Sequence, residues 1–260
     1  MKKIFYWCPF IDKVATVKAV INSCEGLQKY TKNKIPYIID AAGEFDGFEK
    51  SLKNKKISLI KLSKYSYINK LPKYGFIMSR LTYIIIFLLS FNKLRKLLIN
   101  EKPDYFIVHL ITSLPIILFL LFNFKTKLIL RISGLPKLNI LRKIFWRLSR
   151  NQIYLITSPT NETRKHLINQ KIFNSDKIIT LKDPIVNMRE INIKKRKIIE
   201  DKTINKSKYF LSIGRLTEQK NFKLLINAFA IFAKTNSNIN LIIIGTGEQN
   251  DHLSRLVKNL

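Results

Sequence analysis

The chain has 260 residues, 47% of them apolar and 25% charged, with a formal net charge of +30. That composition excludes a disordered or fibrous protein and leaves room for one or two packed domains; two cysteines, Cys8 and Cys24, without metal-like spacing exclude a disulfide scaffold and fit a reducing compartment. The positive field favours anions, whether nucleic acid, acidic lipid head groups or phosphorylated substrates, although an AT-rich coding bias, visible in abundant Lys, Ile and Asn, raises the same charge without any partner.

Met1-Lys2-Lys3 before Ile4–Ile11 imitates a signal peptide only as far as Asp12 and Lys13. Ile4–Trp7 predicts a first strand, left through Cys8-Pro9-Phe10, and Val14, Val17, Ala19–Ile21 and Cys24 predict a helix ending at Gly26. Lys34–Asp40, followed by Ala41-Ala42-Gly43, and Ile57–Leu62 are further strands, so the first part alternates strand and helix. Tyr74–Asn100 predicts a long helix, apolar almost all round its middle, with Lys93, Arg95 and Lys96 near its end. Cations there complement the helix dipole. After Pro103-Asp104, Tyr105–Phe124 carries no formal charge and is long enough to span a bilayer. A strand Tyr105–His109, a polar turn and a buried helix Pro115–Phe122 account for the same residues. Lys127–Ile132 is the next strand, with Ser133-Gly134 behind it.

Within Lys137–Arg150, Leu138, Leu141, Phe145 and Leu148 share a helical face, with Ile144 and Trp146 alongside. Arg142, Lys143, Arg147 and Arg150 add dense positive charge. The pattern fits an interfacial membrane helix with Trp146 among its contacts; it also fits a core-packed helix with a solvated outer face. Ile153–Thr157 is a strand, Thr160 or Thr163 caps a helix through Ile168, and Ile178–Leu181 is the last strand before Lys182-Asp183-Pro184-Ile185. Asn187–Lys208 is polar and basic without apolar periodicity. The expected organisation is therefore a domain over 1–188, a linker over 189–207 and the start of a second domain over 208–260.

In that last part Tyr209–Ile213 predicts a buried strand closed by Gly214. Asn221 can cap a helix carrying Phe222, Leu225, Ile226, Phe229 and Phe232. Ile239–Ile244 predicts a second buried strand, closed by Gly245-Thr246-Gly247, and Leu253, Leu256, Val257 and Leu260 fall on one helical face. A parallel crossover unit of this kind binds ligands at the carboxyl ends of its strands. Arg215 and Lys220 flank the first such end beside a helix amino terminus, a combination suited to a diphosphate. The Gly-Thr-Gly turn lets backbone approach a ligand unobstructed.

Gly214-Arg215, Lys220-Asn221-Phe222 and Gly245-Thr246-Gly247-Glu248 with its following leucines resemble the retaining family 4 glycosyltransferases, group 1, of the GT-B architecture. The resemblance implies an α/β, GT-B-like fold of two Rossmann-like domains, the second incomplete, because family members continue through further strands and a Glu-rich donor-binding segment. A fragment with little or no transfer of its own is the expectation. The resemblance further implies that Arg215, Lys220, Gly245, Thr246 and Gly247 bind the donor, and that His109, closing the strand after Pro103-Asp104, lies near the sugar. A histidine hydrogen-bonded inside a packed turn is the alternative at His109. The donor is a nucleotide-diphosphate sugar acting as substrate, with no cofactor and no metal. The implied partners are a glycan or lipid-linked acceptor and an anionic membrane surface, in bacterial surface polysaccharide or lipopolysaccharide synthesis. The implied location is cytoplasmic, peripheral at the inner face of the membrane. Lys13-Val14-Ala15-Thr16-Val17-Lys18-Ala19-Val20-Ile21-Asn22 resembles some surface-polysaccharide members. Two features depart from the family: the first loop, Pro9–Lys18, lacks glycine, and Ser133-Gly134 stands where many members carry His-Asp. The competing readings are a non-catalytic membrane-associated remnant and a basic nucleic-acid-binding module; no reader motif supports the latter, and no nucleic-acid partner is expected.

Overall fold

The computed structural model describes residues 1–11, 15–72, 76–136, 138–197 and 208–260. They fall into two units, Met1–Asn187 and Met188–Leu260. The first unit runs β1 (Lys2–Trp7), α1 (Ala15–Tyr30), β2 (Lys34–Asp40), α2 (Glu49–Asn54), β3 (Ser58–Lys61), α3 (Phe76–Glu101) and β4 (Tyr105–Val108). It continues with α4 (Ser113–Leu121), β5 (Lys127–Arg131), α5 (Ile140–Ser149), β6 (Ile153–Ser158), α6 (Asn161–Asn169) and β7 (Ile178–Thr180). The seven strands are all parallel, in the order β3-β2-β1-β4-β5-β6-β7. The order reverses between β1 and β4, and a crevice at their carboxyl ends is where such sheets take ligands.

The β1 sequence is apolar on both faces because helices cover both sides of it. Ile4, Tyr6 and Cys8 meet α1 and α2 through Val17, Val20, Ile21, Cys24 and Leu52. Phe5 and Trp7 point into the larger core with Ile86, Leu94 and Leu98 of α3, Leu114, Ile116, Leu118 and Phe119 of α4, Trp146 of α5 and Leu167 of α6. The split follows from crossover handedness: strands added in one direction place their helices on one face, and strands added in the other place them opposite.

Several local expectations change. The first helix does not stop at Gly26 but continues to Tyr30. Gly26 sits where a β-carbon has nothing within 4 Å, Leu27 still packs on the core, and the end is closed by Thr31, whose N–H and hydroxyl both donate to the Leu27 carbonyl. Tyr105–Phe124 divides into β4, a turn and α4, and no helix among the described residues is long and apolar enough to cross a membrane. The basic helix begins at Ile140, where Asn139 caps it by accepting the Arg142 N–H at 2.9 Å; Lys137 lies outside the described residues, as do Asp12–Val14 of the first loop and Tyr74-Gly75 of the long helix. Trp146 is only 7% exposed, its ring 5.5 Å from that of Phe173. It therefore belongs to the core rather than to a membrane contact. At about 100° per residue it points away from Ile144 and Leu148. The outward face instead shows Ile140, Leu141, Ile144 and Leu148.

The second unit contains α7 (Met188–Lys194), β8 (Lys208–Ile213), α8 (Phe222–Ala233), β9 (Ile239–Ile244) and α9 (Asn250–Lys258). Thus α7 occupies part of the stretch expected to be linker, and 198–207 lies outside the described residues. β8 and β9 pair in parallel from Lys208↔Ile239 to Ile213↔Ile244. Contrary to expectation these strands are not buried: Phe210 is 53% and Ile213 70% exposed. In a two-stranded sheet neither strand has neighbours on both sides. Its core reduces to Leu216, Phe222, Ile226 and Leu253, with Leu225, Ile243 and Leu256 packed around them.

Candidate functional site

The level ends of β8 and β9 bring two loops together. Gly214 donates to the Ile244 carbonyl at 3.0 Å, Leu216 N–H to Thr246 O at 2.9 Å, and Gln249 N–H to Leu216 O at 3.0 Å. A β-carbon on Gly245 would stand 1.8 Å from the Gly214 carbonyl oxygen, and one on Gly247 would stand 2.3 Å from that of Leu216. Both glycines are thus required by loop-on-loop contact before any ligand is considered. Leu216 turns its side chain into the small core and pins the first loop from below.

Beyond Leu216 a short turn, Glu218–Lys220, leads to Asn221. Asn221 holds a left-handed conformation (φ 50°), which its short polar side chain tolerates. Its side-chain oxygen accepts from Leu224 N–H at 3.4 Å, capping α8 as expected. This reversal sends Lys220 back across the strand end, its Cδ 4.0 Å from where a Gly214 β-carbon would lie. Arg215 and Lys220 are both exposed. Among the described residues neither side chain is held in an ion pair. Two cations above a strand end and beside a helix amino terminus form an anion-receptive surface.

In the first unit His109 follows β4 at the switch point, its N–H donating to Trp7 O at 2.9 Å. The Trp7 indole N–H donates to Ile111 O at 3.2 Å and ties down a residue with φ 47°, an uncommon conformation for a β-branched side chain. The His109 ring is buried, 6.0 Å from the Tyr6 ring, and among the described residues its Nδ1 has no hydrogen-bond partner. Burial, reinforced by the Arg131 charge, lowers its pKa to about 3. At neutral pH it is an uncharged hydrogen-bonding group, far from the range of an effective proton acceptor.

A cleft of about 280 Å³ runs beneath this point, lined among others by Tyr6, Ile107, His109, Arg131, Thr157 and Asp183. Arg131 is buried there, its guanidinium 2.6 Å from Asp183 Oδ1 and donating to Leu181 O at 2.5 Å. Neither Arg131 nor Asp183 is a candidate on sequence grounds, although a lone arginine closing an apolar strand is a usable signal. A second unforeseen group is the turn after β2. The Glu44 carboxylate accepts from Ala41 N–H (3.0 Å) and Ala42 N–H (2.6 Å), and Asp40 Oδ1 accepts from Gly43 N–H at 2.8 Å. Burial and the neighbouring Asp40 hold Glu44 well above the usual carboxylate range.

Residues 194–260 match the family described as Glycosyl transferases group 1. A stretch of 65 residues is 40% identical to N-acetylgalactosamine-N,N'-diacetylbacillosaminyl-diphospho-undecaprenol 4-alpha-N-acetylgalactosaminyltransferase of Campylobacter jejuni, covering 25% of this chain and 17% of that protein. Another of 99 residues is 32% identical to an uncharacterized glycosyltransferase of Haemophilus influenzae, covering 38% of this chain and 25% of that one. The chain thus spans a quarter or less of the length of these relatives. Among solved structures, TarM superposes on 100% of this chain and 74% of its own (TM-score 0.69, 14% identity). UDP-GlcNAc 2-epimerase from Neisseria meningitidis, bound to UDP-GlcNAc, superposes on 99% of this chain and 68% of its own (TM-score 0.58, 16% identity). The fold class is accordingly parallel α/β and Rossmann-like, matching GT-B glycosyltransferases and these epimerases.

Proposed function

We propose that the chain carries the donor-binding loops and acceptor-side domain of a family 4 glycosyltransferase that moves a sugar, with retention, from a nucleoside-diphosphate sugar to an acceptor hydroxyl. The observation that carries this reading is the match of residues 194–260 to the glycosyl transferase family, with Arg215 and Lys220 at the strand ends inside it. In the reaction the bond from the anomeric carbon to the diphosphate oxygen breaks and a bond to the acceptor oxygen forms. The acceptor's proton ends on the departing diphosphate or in solvent. Arg215 and Lys220 stabilise the charge that develops on the leaving group, and loops pre-set by Gly245 and Gly247 spare reorganisation during the step. Thr246 lies between those glycines, beside the same group. His109, uncharged, serves the sugar or acceptor as a hydrogen-bonding group.

The acceptor class we infer is a glycan or lipid-linked sugar used in bacterial surface polysaccharide or lipopolysaccharide synthesis. The chain then works from the cytoplasm at the inner face of the membrane. In support, α5 exposes Ile140, Leu141, Ile144 and Leu148 next to Lys143 and Arg147, with Arg142 on the same short helix and Arg150 at its C-cap.

Calorimetric titration with a panel of nucleoside diphosphates and their sugars tests the donor site. We expect saturable binding that weakens about tenfold or more in Lys220→Ala, the loss of one charge-assisted phosphate contact. Arg215→Lys is also weakened, because a point charge replaces a bidentate fork. Equal affinity in wild type and both variants removes the site. Binding to duplex DNA but to no nucleotide of the panel removes the transferase reading in favour of a nucleic-acid module.

A further inference from the structure

We propose that the first turns of α3 join α5 in a two-helix docking face for an anionic lipid bilayer. The inference rests on the membrane reading of α5 and extends it to a second helix. Thr82, Ile86, Ser90, Leu94 and Leu98, every fourth residue of α3, are buried. Leu81, Ile84 and Leu88 point away from that line and are exposed, Ile84 to 55% and Leu88 to 67%, with Met78 and Leu89 exposed beside them. Further along, exposed Asn92, Lys93 and Lys96 follow. The outward side therefore changes from apolar to cationic along one helix. A helix facing only water has no use for three turns of exposed Leu, Ile and Met.

The exposed sides of α3 and α5 turn the same way. Ile86, Leu94 and Leu98 of α3 and Trp146 of α5 enter one core on one face of the sheet, and α4 packs against both helices. Leu121, at the end of α4, is also exposed. Both helices thus expose apolar side chains, and both carry cations as well, exposed Lys93 and Lys96 on α3 and exposed Arg147 with half-buried Lys143 on α5.

Charge selects the occupant. No Asp or Glu occurs between Glu49 and Glu101 or between Asp104 and Glu162, the stretches that supply all three helices. Glu101, the exception at the end of α3, is paired with Lys3 at 2.9 Å. A bilayer offers this surface what it lacks: hydrocarbon for the leucines and, a few ångströms higher, anionic phosphates for the lysines and arginines. No described helix is long and apolar enough to cross a membrane, so the contact lies along the surface.

Flotation of the 260-residue chain with vesicles of phosphatidylcholine and phosphatidylglycerol in equal parts tests the proposal. Replacing Leu81, Ile84 and Leu88 together by Gln should lower partitioning about 100-fold or more, since each buried side chain is worth about tenfold. A parallel variant carries Gln at Arg142, Lys143, Arg147 and Arg150. Loss of binding in both variants supports the two-helix face. Loss in the α5 variant alone overturns the role of α3 and keeps that of α5. Loss in the α3 variant alone overturns the α5 reading and, with it, the joint face. If wild type ignores the vesicles and the α3 variant instead dissolves a dimer seen by light scattering, the occupant is a second copy and the bilayer proposal falls. Ile84→Cys with a polarity-sensitive dye gives an independent readout, because Cys8 and Cys24 are buried and their thiols are pushed well above the usual range. The dye should shift to the blue on anionic vesicles, and an unchanged spectrum overturns the proposal even if the triple variant misfolds.

Discussion

The two units are written in the same sequence dialect and end up with different interiors. β1 of the first unit (Lys2–Trp7) and β8 of the second (Lys208–Ile213) both begin with lysine and are mainly apolar after it. Ile4, Phe5, Tyr6 and Trp7 are buried, whereas Tyr209, Phe210, Leu211 and Ile213 are exposed. β1 has strands on both sides and helices on both faces, while β8 has one partner strand. Burial of a strand is thus a property of its neighbours, and an apolar run states only what it requires of them. The consequence for function is uneven support. The cations proposed to meet the diphosphate stand on a core of four buried residues, where backbone contacts between loops do much of the holding.

That contrast can be broken most directly at Gly245. Gly245→Ala drives a β-carbon into a backbone oxygen, and the second unit should lose about 3 kcal/mol or more, with nucleotide binding abolished. Amide exchange would show lost protection confined to 208–260; protection unchanged there would mean that the loops are not locked as described. A second effect separates the units by pH. Because His109 titrates near 3 when folded and about 6.5 when unfolded, its contribution to the first unit is full above pH 6.5 and is lost as pH falls towards 3. The expected slope is roughly 1.4 kcal/mol per pH unit, and His109→Phe should flatten it. If wild type and variant lose protection in parallel on acidification, His109 is not buried uncharged.

Glu44 acts in the opposite direction. Its pKa is raised on folding, so its contribution is full below the usual carboxylate range and is lost as pH rises through the folded value. Glu44→Gln should therefore make the first unit less sensitive to alkali, measured by urea titration at several pH values. A variant that keeps the wild-type alkaline loss would place the source elsewhere. The smallest change belongs at Gly26, inside α1 with open space around it. Gly26→Ala should stabilise the first unit by about 1 kcal/mol. Destabilisation there would mean that the helix ends earlier.

Much of the frame was legible because strand and helix carry different periods. Ile4–Trp7, Lys34–Asp40, Ile153–Thr157 and the capped starts at Thr160 and Asn221 all announce themselves within a few residues. What escaped depends on distance in the chain. Arg131 meets Asp183 across β5, β6 and β7, and no local pattern encodes the pair. Trp146 looked like part of an amphipathic surface because composition names a helix's residues without fixing its rotation; Phe173, from the segment before β7, settles which side is inside. Gly26 read as a stop because glycine is a common one. The continuing contacts of Leu27 outweighed its modest cost. In the loops after β8 and β9 the glycines were visible in the sequence and the structural reason for them was not. Gly245 and Gly247 are spaced for the neighbouring loop, a relation visible only once β8 and β9 are in register.

Placement of the large aromatic side chains has one more consequence. Trp7 and Trp146 are the chain's two tryptophans, and both are buried in the first unit. Intrinsic tryptophan emission is therefore blind to the second unit, apart from indirect effects. A melting curve recorded that way would report a well-behaved transition even if the loops bearing Arg215 and Lys220 had already come apart. Introducing a tryptophan at Phe229, on the side of α8 whose ring meets Phe210 edge to face, would give the second unit a voice of its own.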